Sequence, residues 1–328
     1  MRAIFCTKPQ DDMSTTGLAD LPVPEPGPGE VRVRVMAASL NPVDWKLCTG
    51  VAPWWHEPHV VGLDAAGVVD ALGEGVEGWQ IGDRVVWHGN LNRQGVFAEF
   101  AVTVAHVLVS LPETVSFEAA AAVPCAGLTA YQALVRKIRL EAGQTIVIQG
   151  ASGGVGGFAV QIAHRIGARV IALVRPEKAA RAKALGADVA LDYRATDLPA
   201  EVRAANGGFG ADAMLEVANP QDARKSLSLL RYNGHLACVD PLPDLSRTPP
   251  YTYAASIHEI ALGGAYGAGD LRTQRDFAVM GAALVEMLAE GRLDPMIEAV
   301  ITLDEVPDYL ARLRRREFDG KVVVRIDA

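Results

Sequence analysis

Cysteine, positive charge and long apolar runs are all scarce in this chain, and each shortage removes a class of protein. The four cysteines stand at 6, 48, 125 and 238, without any C-x-x-C spacing. Such a set builds neither a disulfide framework nor a cysteine-rich zinc lobe and fits a reducing compartment, so a cytoplasmic location is expected. Lys and Arg total 31 against 39 Asp and Glu, and the net charge of −8 repels a phosphate backbone, which argues against nucleic acid as a partner. The one dense basic cluster, Arg312, Arg314, Arg315 and Arg316, lies beside Glu317 and Asp319 and reads as a solvated helix face. The stretch Ala142 to Ala163 carries no formal charge over 22 residues, but its six glycines and three glutamines disqualify it as a membrane helix. The opening MRAIFCTKPQDD reaches two aspartates before any apolar run of signal-peptide length, so no secretory leader and no membrane association are expected.

What is present is an ordinary globular composition, half hydrophobic over 328 residues, enough for two domains. Residues 1 to about 124 are rich in Val, Gly and Pro and alternate in short runs. Val31-Arg32-Val33-Arg34-Val35 would send apolar and basic side chains to opposite faces of a strand. Between Val68 and Val86, VVDALG, the turn GEGVEGW and IGDRVVW predict antiparallel strands joined by glycine turns. From about 125 the texture changes to strand, helix, strand: Thr145 to Gln149, Gly156 to Ile166, Val170 to Val174, Glu177 to Leu185 and Ala187 to Leu191. That rhythm is the βαβ unit of a parallel sheet, and it continues through Ala213 to Glu216, Ala223 to Arg231 and His235 to Asp240. A strongly helical piece over Leu271 to Glu290, then the segments Ala299 to Thr302 and Val306 to Arg316, and a final strand Lys321 to Ile326 complete the pattern.

The most informative segment is TIVIQGASGGVGGFAVQIAHRI, residues 145 to 166. A strand that turns tightly into a helix leaves backbone N–H groups facing the turn, and glycines let a pyrophosphate approach them. Ser152, Gly153, Gly154, Val155 and Gly156 form that candidate cradle. A second strand ends at Val174 about 20 residues on, where the ribose of a dinucleotide belongs. The turn has no Lys-Ser or Lys-Thr of a phosphate-hydrolysing loop. It does match G-x-S-x-G, with Asp240 and His258 following in order, so a serine hydrolase using Ser152 stands as the alternative.

Taken in order, Asn41-Pro42-Val43-Asp44, Gly62-Leu63-Asp64-Ala65-Ala66-Gly67, Gly82-Asp83-Arg84-Val85, Gly127-Leu128-Thr129-Ala130-Tyr131, the glycine turn, Leu185-Gly186-Ala187 and Gly320-Lys321-Val322-Val323 resemble the medium-chain dehydrogenase/reductase superfamily, in its zinc-independent quinone oxidoreductase branch. The resemblance implies an α/β protein: a GroES-like β-rich catalytic domain over 1–124, a Rossmann domain with a doubly wound parallel sheet over 125–265, and a segment 266–328 that returns to the catalytic domain. It implies a homodimer acting on a small molecule. Where zinc-dependent relatives carry Cys, His and Cys ligands, this chain has Asn41, Leu63 and Cys125, so no metal is expected and Cys125 reads as a small buried hydrophobe.

NAD-preferring relatives place an acid at the end of the second strand. Here Val174 is followed by Arg175-Pro176-Glu177-Lys178, cations suited to a 2′-phosphate, with Tyr193 where NADPH-binding relatives place a phenol. NADPH is therefore the expected cofactor; a solvated helix start is the plainer reading of Arg175 and Lys178. The resemblance adds Asp44, Thr129, Ala218, Val239 and Lys321 to the cofactor contacts. A metal-free site of this kind implies hydride transfer to a quinone or an α,β-unsaturated carbonyl, with Asn41, Lys46 and Tyr266 as candidate donors to the developing oxyanion. Lys46 has a second reading as a cofactor-ribose contact. Trp54, Trp55 and His56 are expected to wall the substrate pocket, with a solvent-facing hinge as the alternative. A cofactor-binding protein without turnover also remains open.

Overall fold

A computed structural model describes residues 1–7, 10, 13–51, 55, 58–217, 223–239, 242, 244–246 and 248–326. The chain divides into two compact units, Met1–Leu128 with Leu262–Ala328, and Thr129–Ala261.

The first unit is β-rich, as its alternating runs predict. Its N-terminal part contributes β1 (Arg2–Cys6), β2 (Thr16–Asp20), β3 (Glu30–Ser39), β4 (His59–Val60), β5 (Asp64–Leu72), β6 (Arg84–His88), β7 (Phe100–Val104) and β8 (Val109–Ser110), with helices α1 (Pro42–Lys46), α2 (Phe117–Ala121) and α3 (Pro124–Tyr131), the last running into the second unit. In β3 the valines 31, 33 and 35 are fully buried while Arg32 and Arg34 are not, so the period of two places one face on the core. Antiparallel pairing of β3 with β5 and of β5 with β6 sets Asp64 directly opposite His88.

The second unit holds β9 (Thr145–Gln149), α4 (Gly154–Ile166), β10 (Arg169–Val174), α5 (Ala179–Ala184), β11 (Val189–Asp192), α6 (Leu198–Ala205), β12 (Ala211–Glu216), α7 (Ala223–Leu227), β13 (Leu230–Cys238) and β14 (Ser256–Glu259). All its pairings are parallel, in the order β11-β10-β9-β12-β13-β14. This is the doubly wound sheet expected from sequence, and its order reverses between β9 and β12, where such sheets bind ligands. Ile146, Val147, Ile148, Val170, Ile171 and Ala172 have no exposure, as strands covered on both faces require.

The returning segment supplies α8 (Gly264–Gly267), α9 (Leu271–Ala289), β15 (Ile297–Ile301), α10 (Val306–Arg314) and β16 (Lys321–Arg325). Strand β16 pairs antiparallel with the end of β3, matching Val323 with Ser39, and completes the order β15-β16-β3-β5-β6-β8. The arginine run closing α10 is engaged locally: Arg312 and Arg315 bond Glu317, and Arg312 lies over the rings of Tyr309 and Phe318. Among the described residues, no helix is long and apolar enough to cross a membrane.

Candidate functional site

The glycine turn is built as a cradle. Gly150 takes φ +63°, and a Cβ on Gly156 would lie 2.2 Å from the Gly150 carbonyl oxygen, so a glycine at 156 is required for the helix to start this close to the strand. At Gly153, the N-cap of α4, a Cβ would meet nothing nearer than 3.5 Å. A methyl at Gly153 would therefore make only ordinary contact with the turn, and the first N–H groups of a 13-residue helix have no intrahelical acceptors. These residues fit the pyrophosphate of a dinucleotide.

The carboxyl ends of β10 and β11 extend this surface. Val174 pairs with Asp192 in parallel register, so Arg175 and Tyr193 leave the sheet side by side. Arg175 is exposed and pairs with Glu177 at 3.3 Å; Tyr193 is 44% exposed, with the Arg194 guanidinium 5.7 Å from its ring centroid. Lys178 is half-buried at the head of α5. A cavity of about 520 Å³ opens here, bordered by Gln149, Leu173, Tyr193, Arg194, Met214 and Glu216. Glu216 accepts a hydrogen bond from Ser226 Oγ at 2.9 Å. Val239, just beyond β13, bonds back to the Glu216 carbonyl at 3.0 Å, and Thr129 is buried in α3. Ala218 lies outside the described residues.

In the first unit the candidate residues converge on one buried network. Lys321, only 4% exposed, donates from Nζ to Asn41 Oδ1 at 2.6 Å and to the Leu40 carbonyl at 3.2 Å. Asn41 in turn donates from Nδ2 to Asp64 Oδ2 at 2.8 Å and to the Ser39 carbonyl at 3.2 Å. Asp64, with no exposure, also receives the Cys125 backbone N–H on Oδ2 at 2.8 Å and faces His88 Nδ1 across 2.8 Å from Oδ1. Lysine can only donate, which orients the Asn41 amide so that Nδ2 faces the Asp64 carboxylate.

Both amide hydrogens of Asn41, expected as an oxyanion donor, are committed within this network. Tyr266, expected in the same role, donates its hydroxyl hydrogen to the His88 carbonyl at 2.9 Å, and burial raises its phenol above the ordinary range. Lys46 sits exposed at the end of α1. Asp44 is 1% exposed; its Oδ2 accepts the Asn41 N–H at 2.7 Å, and its Oδ1 has no partner. Burial pushes the Asp44 carboxyl well above the carboxylate range, opposed by the Asn41 N–H, helped by the Asp64 charge and opposed again by Lys321. Trp55 is fixed by a bond from Nε1 to the Leu91 carbonyl at 3.0 Å and stacks on His59 with centroids 4.0 Å apart. Trp54 and His56 lie outside the described residues.

Asp64, His88 and Cys125 offer one carboxylate, one imidazole and one thiol within 4.8 Å of one another, the donor types of a zinc site. They do not fit a zinc ion as they stand. The carboxylate already takes three hydrogen bonds, a buried ammonium stands behind Asn41, and the Cys125 thiol is pushed well up by burial and then by the Asp64 charge, so its ligand form is disfavoured.

The hydrolase alternative fails on geometry. His258 lies on β14, three strands from β9, which at about 4.8 Å per strand puts it roughly 14 Å from the strand that leads to Ser152. Its ring is paired instead with His235, Nδ1 to Nε2 at 3.0 Å. Asp240 lies outside the described residues.

Sequence reasoning missed His88 and Asp64 as a pair. The available signal was the pairing of the strand before GEGVEGW with the strand after it, which opposes the two residues.

Comparison with known proteins agrees with both units. Residues 27–113 match the alcohol dehydrogenase GroES-like domain, and residues 154–278 match the zinc-binding dehydrogenase family. The chain is 32% identical over 312 residues to the chloroplast envelope quinone oxidoreductase homolog of Arabidopsis thaliana, covering 93% of this chain and 92% of the relative. Among solved structures, an NAD-dependent alcohol dehydrogenase superposes with a TM-score of 0.86 at 34% identity, covering all of both chains. A mycobacterial protein complexed with NADPH gives 0.87 at 28% identity, covering 99% of each.

Proposed function

Because the chain belongs to the quinone oxidoreductase branch of the medium-chain dehydrogenase/reductase superfamily and is an NAD(P)-dependent oxidoreductase, we propose that it uses NADPH, without zinc, to reduce a quinone or an α,β-unsaturated carbonyl. The committed state of Asp64 carries this reading. A carboxylate that already takes three hydrogen bonds, backed by Lys321, is poorly suited to hold a Lewis acid, and a simple carbonyl needs one. An acceptor whose own conjugation lowers the barrier does not.

When bound, reduced nicotinamide supplies the hydride. The first turn of α4 would hold the pyrophosphate, Arg175, Lys178 and Tyr193 the 2′-phosphate, and Thr129 and Val239 would complete the contacts of the second unit. Lys46 donates to the oxyanion that develops on the substrate, while Asn41 and Asp44 keep the loop before it in place. Trp55 walls the substrate pocket. The protein acts in the cytoplasm as a homodimer, which sedimentation of the purified protein would test. A second reading, with NADH as donor, is favoured by Glu177, whose carboxylate 3.3 Å from Arg175 offsets part of the local positive charge.

The deciding experiment is steady-state oxidation of NADPH and NADH against quinones, enones and plain alcohols, with metal analysis before and after a chelator. Expected are reduction of the conjugated acceptors, no alcohol oxidation and no change on chelation. Stoichiometric zinc whose removal abolishes turnover would sink the proposal.

A further inference from the structure

The cavity of about 520 Å³ in the second unit has the size of pockets that hold drug-sized ligands, and a buried carboxylate borders it. We propose that Glu216 reads the base of the dinucleotide, accepting the exocyclic amine of adenine and rejecting a purine that carries an oxygen at that position; this rests on the NADPH reading above.

Strand register builds the floor of the cavity. Leu173 of β10 pairs with Gln149 of β9, and the parallel pairing of Leu215 with Ile148 carries Glu216 to the level of Gln149 on the neighbouring strand. On its other side Glu216 pairs with Cys238. A layer of the sheet that is apolar at Leu173 and Cys238 thus holds an amide and a carboxylate at its centre, where the strand order reverses. Glu216 is only 2% exposed, and a carboxylate withdrawn that far from water has a desolvation cost that sheet packing does not require. Its orientation is fixed. Ser226 Oγ donates to Oε2 at 2.9 Å, and the Gln149 amide, turned so that its nitrogen faces the carboxylate, donates to Oε2 at 2.7 Å and to Oε1 at 2.9 Å. With the amide oxygen in that place, acceptor would face acceptor.

The position suits the base. Tyr193 borders the same cavity, and the 2′-phosphate and the base sit on adjacent carbons of one ribose, so a phosphate at Arg175 and Tyr193 delivers the base to this opening. Leu173, Leu198, Met214 and Leu229 supply apolar walls for its faces. A carboxylate accepts and never donates, so the edge it admits must carry N–H. Adenine meets this with its 6-amino group, whereas hypoxanthine presents a carbonyl oxygen there, which the carboxylate repels. The cations at the rim do not reverse the selection: Arg194 is bound to Asp192 at 2.9 Å, and Lys225 is exposed.

The test measures dissociation constants, by the fluorescence of the reduced nicotinamide, for NADPH, NADH and deamino-NADPH, which has hypoxanthine in place of adenine. Wild type is compared with Glu216→Gln, which keeps the size of the side chain and offers both an acceptor and a donor. Wild type should bind NADPH about tenfold or more tightly than deamino-NADPH, the margin of one hydrogen bond to a charged group. In Glu216→Gln that margin should vanish while the ratio of NADPH to NADH affinity stays as in wild type. A merely structural loss would weaken all three alike. Equal binding of NADPH and deamino-NADPH by wild type, a comparison that needs no variant, would overturn the role of Glu216 and leave the cofactor reading standing. An unchanged margin in Glu216→Gln would overturn it as well, by moving base recognition to another residue. Failure of wild type to bind any of the three would overturn the cofactor reading and this inference with it.

Discussion

Lys321 reaches Asn41 across 280 residues of sequence, its Nζ 2.6 Å from the amide oxygen. The contact joins the first residue of β16 to the loop after β3 and sets a cation behind the Asp64 carboxylate. Removing it would leave Asp64 buried with its charge uncompensated and Asn41 Oδ1 without a donor. Lys321→Met is expected to destabilise the protein by about 3 kcal/mol, the scale for breaking a buried charge arrangement. Urea unfolding measures this directly, and a loss below about 1 kcal/mol would mean that Asp64 is neutralised by other means.

Two glycines of the same turn should respond differently to alanine. At Gly156 the new methyl would lie 2.2 Å from a backbone oxygen, so Gly156→Ala is expected to lower thermal stability and cofactor affinity together. At Gly153 the nearest atom is at 3.5 Å, so Gly153→Ala should keep its melting temperature and lose affinity, because the methyl occupies the pyrophosphate approach. Calorimetry with NADPH titration separates the two; equal affinity in Gly153→Ala and wild type would place the phosphates elsewhere.

Arg175 and Tyr193 leave adjacent strands together, and a 2′-phosphate there would gain charge-assisted bonds worth about 1.5 to 3 kcal/mol each before solvent screening. NADPH should bind about tenfold or more tightly than NADH, and the double variant Arg175→Ala, Lys178→Ala should remove that margin while leaving NADH nearly unchanged. Parallel losses for both cofactors would assign the cations to another contact.

The Asp44 carboxyl gives a pH signature. Its proton is held more tightly in the folded chain than in the unfolded one, so its contribution is complete below the ordinary aspartate range, about pH 4, and is lost as pH rises through the folded value. Asparagine keeps the acceptor for the Asn41 N–H without the ionisation. Asp44→Asn should therefore gain on wild type as pH rises, by up to about 1.4 kcal/mol per pH unit within that window. Denaturation of both proteins at pH 5, 6, 7 and 8 checks the sign; a difference constant across that range would refute it.

The second unit was the more legible in sequence because its strands follow one another along the chain and its helices cover them, so local period and turn chemistry carry most of the information. Its misreadings are local too. The helix expected to reach Arg231 ends at Leu227, since Leu230 is claimed by pairing with Ala211, and the short strand Ser256–Glu259 has too few residues to show a period. The site in the first unit was legible only in pieces. Asn41, Tyr266 and Lys321 stood out by resemblance, yet their roles depend on His88 and Asp64, which strand register opposes, and on a lysine contributed by the other end of the chain.

That contribution has a consequence for biosynthesis. The second unit is one uninterrupted stretch and emerges from the ribosome with all its strands. The first unit is split, and the edge of β3 at Ala37, Ala38 and Ser39 has no β16 beside it until residues 321–325 have been made. Until then Asp64 lacks its cation and a strand edge stays open to foreign pairing. Emergence of β16 is then the event that closes the edge and completes the network, so a ribosome stalled before codon 321 should hold a nascent chain whose second unit resists protease and whose first unit does not.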